Sequence, residues 1–144
     1  MTAIGVPLGA MTPYQPPPGN SFTRAIEVDP NYARAYAGVA DACSLLYKYF
    51  DARDANLRQA DSASRKAIEL EPELAEVHVA RAVALSMAKK FDEATAEFDQ
   101  ALKLDPKNFE ASYWYGRMHL TQGEFEDAVK LLERAALIRP DDYQ

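Results

Sequence analysis

The sequence predicts an all-α solenoid of stacked antiparallel helix pairs, about three full repeats behind an N-terminal half repeat. Two observations carry this. Four strings superpose without gaps, FTRAIEVDP (22–30), SRKAIELEP (64–72), FDQALKLDP (98–106) and LERAALIRP (132–140), and their closing prolines Pro30, Pro72, Pro106 and Pro140 lie 42, 34 and 34 residues apart. A fixed period of this size marks units that cannot bury their own apolar face and must stack. Small residues also fall in columns: Ala40, Ala82 and Gly116 in the first helices, and Ala60, Ala94, Ala128 with Ala25, Ala67, Ala101, Ala135 in the second helices. Small side chains at a crossing let helix axes approach closely.

Taken in order, residues 1–20 form a Pro/Gly-rich segment that cannot hold a helix, and the repeat domain spans 21–142. A half repeat occupies 21–30, where Phe22, Ala25, Ile26 and Val28 match Phe98, Ala101, Leu102 and Leu104 of a second helix whose first helix is missing. Full repeats follow at 31–72, 73–106 and 107–140, each a helix, a turn, and a helix stopped by its proline. In the last of them Ala111, Tyr115, Met118 and His119 recur at helical spacing, TQGEF turns the chain at Gly123, and Ala128, Leu132 and Ala135 resume the period. The unit ending at Pro72 is eight residues too long, and its surplus around LYKYFDARDANLRQ (46–59) adds a turn to each helix. Asp51 or Asp54 is a candidate cap for the second of these helices. Tyr47, Tyr49 and Phe50 then project beyond the stack, as a packing ridge or as a binding edge. Tyr14 and Pro16 to Pro18 are expected to lie against an apolar surface as an extended cover for the half repeat.

The chain of 144 residues, 48% hydrophobic and 26% charged, is long enough to bury a core without staples. A net charge of −6, with basic residues interleaved among acids, speaks against nucleic acid as a partner. Cys43 is the single cysteine, so no intramolecular disulfide or cysteine-rich metal cluster is available, which points to a reducing, cytoplasmic location. The opening MTAIGVPLGAMTPYQPPPGN has no early Lys or Arg and is broken by Pro7 and Gly9, so it reads as no signal peptide. No apolar run approaches a membrane span, and no membrane partner is expected.

The period of 34, the small-residue columns, the aromatics Phe91 and Phe125 after the turns and the closing prolines together resemble the tetratricopeptide repeat family over roughly 21–142. More narrowly, DPNYARAYAGVADA (29–42) and LAEVHVARAVAL (74–85) resemble arrays attached to bacterial signalling proteins such as winged-helix regulators, cyclases and Ser/Thr kinases. The chain departs from the family pattern where His78 and Ser112 replace a large aromatic, where Lys89 stands at a turn glycine, and where Arg81 takes an apolar register. Arg81 is expected to snorkel or pair with an acid such as Glu97.

The resemblance implies a right-handed superhelix whose first helices line a concave groove. It places there Arg34, Ala37, Gly38, Asp41 and Leu45, then Glu76, Val79, Ala80, Val83 and Met87, then Glu110, Tyr113, Trp114, Arg117 and Leu120. Arg34, Ala37, Asp41, Val79, Val83, Met87, Tyr113, Trp114 and Arg117 are the candidate partner-binding residues. The Lys and Asn clamp that some members use for a peptide carboxylate has no match here, since those places hold Gly38, Glu76, Ala80, Glu110 and Trp114. A largely apolar groove taking a peptide or partner domain, with Trp114 and Tyr113 as anchors, is the leading reading. SYWYG (112–116) also fits plain core packing. The alternative is a self-assembling scaffold, or a piece of a larger bacterial regulatory protein. Its motive is the apolar outer registers of the last helix, such as Val129 and Ala136, and the N-terminal segment.

No cofactor, metal site or enzymatic role is expected. His78 and His119 sit in inward registers of different units without a Ser or Cys partner at a suggestive spacing, and Cys43 takes a core register beside Ala40. The acid pairs Asp92-Glu93 and Glu124-Glu126 begin helices, where negative charge complements the dipole.

Overall fold

The computed structural model describes residues 21–139, and among them the backbone forms seven α-helices and no strand. They are α1 (Ser21–Val28), α2 (Ala33–Tyr49), α3 (Asp54–Leu70), α4 (Ala75–Met87), α5 (Phe91–Leu104), α6 (Phe109–Thr121) and α7 (Phe125–Ile138). The expected cover by Tyr14 and Pro16 to Pro18 lies outside the described residues. Helices α1, α3, α5 and α7 each stop two residues before a proline, which cannot donate the next helical hydrogen bond. After α1 and α5 the intervening aspartate builds the same turn twice. Asp29 Oδ1 accepts the Asn31 amide at 3.0 Å and Asp105 Oδ1 accepts the Lys107 amide at 3.1 Å.

The turns inside the last two helix pairs are also copies of one another. Lys90 N donates to Leu85 O and Glu124 N to His119 O, both at 2.9 Å, closing each first helix with the wide bond of a left-handed cap. That cap needs positive φ, which Gly123 (79°) adopts freely and Lys89 (63°) adopts against its Cβ. The longer unit has 17 residues in each helix, against 13 or 14 in the helices of the other two pairs. Neither Asp51 nor Asp54 caps α3. Arg53 holds the cap position, and Asp51 is occupied instead by the Arg53 guanidinium at 2.6 Å, which holds its carboxyl below the usual carboxylate range.

Helices α2 with α3, α4 with α5 and α6 with α7 pack as pairs, and each pair leans on the next through α3 on α4 and α5 on α6. Because α2, α4 and α6 also touch in sequence while α3, α5 and α7 do not, the first helices form an inner layer and the second helices an outer one. Helix α1 docks on α2. The columns of small residues sit at these crossings: Ala40, Ala60, Ala67, Ala82, Ala94, Ala101, Ala128 and Ala135 have no exposed surface. Helix α4 is largely enclosed, with every residue from Ala75 to Leu85 buried except Glu76. Its Val77, Ala80 and Ala84 belong to the apolar cluster shared with α2 and α3, and its Val79, Ala82, Val83 and Leu85 to the cluster shared with α5 and α6.

Two buried polar side chains fix α4 within this apolar frame. Arg81, only 8% exposed, donates to Asp61 Oδ1 at 2.5 Å and to Ser64 Oγ at 3.2 Å, both on α3. Burial alone would push the Asp61 carboxyl up, but bonds and charge from Arg81 and Arg65 outweigh it and hold the group below its ordinary value. The expected partner Glu97 is elsewhere: it lies 2.6 Å from His78 Nδ1, while His78 Nε2 lies 2.6 Å from the Pro72 carbonyl. His78 thus ties α4 to α5 and to the preceding turn. On the outer side, Phe98 stacks on Tyr115 at 4.9 Å, joining α5 to α6. Burial and the accepting Asp99 carboxylate 3.0 Å away push the Tyr115 hydroxyl up to about 12. No helix among the described residues is long and apolar enough to cross a membrane.

Candidate functional site

The inner layer presents three stripes at spacings of one or two helical turns: 34, 37, 38, 41 and 48 on α2, then 76, 79 and 87 on α4, then 110, 114, 117 and 121 on α6. Residues three and four apart share a helix face, so these stripes make one continuous surface. It holds two depressions. The first, of about 720 Å³, lies over the front halves of the three helices and is lined by Arg34, Ala37, Gly38, Asp41, Glu76, Val79, Asn108 and Glu110, with Phe22, Ala25, Tyr32 and Ala35 at one end and Arg139 at the other. The second, of about 320 Å³, lies over their rear ends, between Tyr47 and Lys48 of α2, Met87 and Phe91 flanking the α4 turn, and Trp114, Arg117 and Met118 of α6.

The floor of the first depression is made of small groups. Ala37 and Val79 are almost buried yet face the space, and Gly38 lets the Phe22 ring of α1 rest on the α2 backbone, where any Cβ would collide with it. Its walls are charged. Arg34 pairs with Glu76 at 3.4 Å from α2 to α4, and Arg139 pairs with Glu110 at 3.4 Å while covering the Phe109 ring at 4.9 Å. Asp41 sits between the two acids, partly buried. Burial first, then the charges of Glu110 and Glu76, push its carboxyl up to about 7. Among the described residues Asp41 has no hydrogen-bond donor and no cationic partner. The groove therefore carries an acidic centre, set among the apolar groups that its residue types suggested.

The second depression is aromatic and basic. Trp114 is half-buried, meets Tyr113 edge-on at 5.1 Å and carries the Lys48 ammonium 5.7 Å from its ring. Arg117 donates to the Tyr113 hydroxyl at 2.9 Å and reaches the Tyr49 hydroxyl at 3.5 Å. The extra turn of α2 thus spans α4 and touches α6. Tyr49 is half-exposed and Phe50 is 83% exposed, so the surplus residues do project, with Tyr47 lining the depression.

Of the candidate binding residues, Arg34, Ala37, Asp41 and Val79 line the first depression and Met87, Trp114 and Arg117 the second. Tyr113 is half-buried between Phe109, Trp114 and Arg117. Val83 is not offered to a ligand, since it is 3% exposed and packs with Leu85 and Met118 where the inner helices converge. Phe22, Tyr32, Tyr47, Lys48 and Arg139 are additional lining residues that the repeat register did not pick out. Arg139 had a visible sign, because the residue before the closing proline is acidic in three strings and Arg in the fourth.

The remaining reactive groups have local partners. Cys43 is buried, donates to Gln59 Oε1 at 3.6 Å, and its thiol is pushed up by burial. His119 stacks on Tyr115 at 4.9 Å and lies 3.2 Å from Glu124. With Asp127 it brings three ligand-type atoms within 4.8 Å of one another at the α6–α7 turn, where both acids are exposed.

Comparison with known proteins agrees with this architecture. A tetratricopeptide repeat model matches residues 85–144. Superkiller protein 3 of Schizosaccharomyces pombe is 25% identical over 86% of the chain, which spans 11% of that protein. A thermophilic tetratricopeptide repeat protein of Thermus thermophilus superposes with a TM-score of 0.72 at 24% identity, over 85% of this chain and 64% of that one. The second repeat domain of Spaghetti (RPAP3), solved with an HSP90 peptide SRMEEVD, superposes with a TM-score of 0.55 at 19% identity, over 81% of this chain and 98% of that one. The repeat period, the stacked helix pairs and these likenesses converge: the chain has the tetratricopeptide repeat fold, and residues 85–144 match that family's model.

Proposed function

We propose that the chain is a non-catalytic interaction module that binds a peptide or partner domain in the groove of α2, α4 and α6. The observation that carries this reading is the pair of adjacent depressions, about 720 and 320 Å³, on one continuous face of the three inner helices. Concave sites with a few placed polar groups are where ligands gain most contact. A structural neighbour of the same fold was solved with a peptide, which supports a peptide as the class of ligand. Both histidines have structural partners, and a buried free thiol fits a reducing, cytoplasmic setting.

Trp114 is the only tryptophan, so its fluorescence reports directly on the groove. Binding on a peptide array is expected to fall about tenfold or more in Trp114→Ala and in Met87→Glu, with helical circular dichroism retained. Unchanged binding in both variants would remove the groove from the account.

One observation favours self-association as a second reading. On α7, Phe125 is 65%, Val129 50% and Leu137 82% exposed, an apolar stripe on the outer layer. Ala136, named with Val129 as an outer register, is half-buried. If this stripe pairs two copies, light scattering across a concentration series shows mass rising towards the dimer and Val129→Glu abolishes the rise. A constant monomer mass contradicts it.

A further inference from the structure

We propose that the centre of the groove seats the side chain of a lysine or arginine, presented by a peptide segment of a partner protein, on the Asp41 carboxylate. This rests on the groove being the binding surface and adds the chemistry of what enters it. Three carboxylates converge in the larger depression, one from each inner helix, and two of them are compensated: Glu76 by Arg34 and Glu110 by Arg139. Asp41, the one between them, has no cation among the described residues. A carboxylate held out of bulk water beside two like charges is costly unless a positive group joins it. The space above it is about 720 Å³, far larger than one side chain, and its floor of Ala37, Gly38 and Val79 suits small or apolar flanking residues.

The occupant is therefore a basic group within an apolar stretch. No basic side chain comes from residues 1–20 or 140–144, which contain no Lys, Arg or His. The charge pattern is also the reverse of what an acidic peptide tail needs. A partner in trans carrying Lys or Arg answers both observations.

The test uses the full chain and three pools of acetylated, amidated nonapeptides randomised over Ala, Ser, Leu and Val, with lysine, norleucine or glutamate fixed at the centre. Fluorescence anisotropy near pH 8 is expected to show the lysine pool binding about tenfold more tightly than the norleucine pool, and the glutamate pool most weakly. Asp41→Asn, nearly isosteric, brings the lysine pool down to the level of the norleucine pool. The wild-type chain gives the same answer without a variant, because the lysine preference shrinks as pH falls from 8 to about 5.5 and Asp41 takes up a proton between Arg34, Glu76, Glu110 and Arg139. Equal binding of lysine and norleucine pools, still weakened by Trp114→Ala, would keep the groove and overturn the basic ligand. A lysine preference that survives Asp41→Asn would overturn the assignment to this carboxylate. No binding by any pool, with self-association unaffected by Asp41→Asn, overturns both the groove and its ligand. Self-association lost in Asp41→Asn, with no pool bound, would give the site to a second copy and overturn the partner in trans.

Discussion

Asp41 is the residue at which folding and the proposed binding pull in opposite directions. Its carboxyl is raised to about 7 in the folded chain, above its unfolded value, so the native state holds the proton more tightly. Stability contributed by the protonated form is present at low pH and is lost as pH rises from the usual carboxylate range towards 7. Asp41→Asn is therefore expected to gain about 1–3 kcal/mol over the wild type near pH 8, with the gain closing by about pH 4 in paired urea titrations. A variant whose advantage over the wild type is no larger at pH 8 than at pH 4 would show that Asp41 is compensated. Lys89 shows a different residue-scale strain: its positive φ does the work that Gly123 does one repeat later. That substitution was readable from the repeat alignment. The state of Asp41 was not, because its two acidic neighbours arrive from helices 35 and 69 residues away.

Between elements, the α3–α4 contact is decided by Arg81. Removing one partner of a mostly buried ion pair strands the other, whereas replacing the charge with an apolar group of similar size does not. Asp61→Ala is expected to cost about 1–3 kcal/mol, a range lowered for the exposure of Asp61, and Arg81→Met less than about 1 kcal/mol, both read by urea unfolding. Equal losses would mean that Arg81 stabilises through its stem alone. Because the folded Asp61 value lies below its unfolded one, this contribution is present above the ordinary carboxylate range and fades as pH falls through it. The sequence marked Arg81 as anomalous but favoured Glu97 as its partner. Both acids lie within reach of α4, and only the side-chain packing sends Glu97 to His78 and Asp61 to Arg81.

At the scale of the whole chain, the fold was legible because it is written redundantly. Four closing prolines, the alanine columns and two copies of one turn say the same thing in separate places. The groove was legible only in outline, as three stripes on the inner helices. Its charge balance depends on single positions that the repeat does not constrain, such as Arg139 and Asp41, and its rear depression on the extra turn that carries Lys48 and Tyr49 across to α6. Val83 shows the limit of register arguments, since it shares the stripe of Val79 yet is closed off where the inner helices meet. The central claim is that this inner surface is where a partner sits, and chemical-shift mapping tests it most directly. Titrating the labelled full chain with the tightest-binding lysine-centred nonapeptide is predicted to move the amides of Ala37, Asp41, Val79, Glu110 and Trp114 most. Shifts confined to the outer face of α7 around Val129 and Leu137 would contradict it.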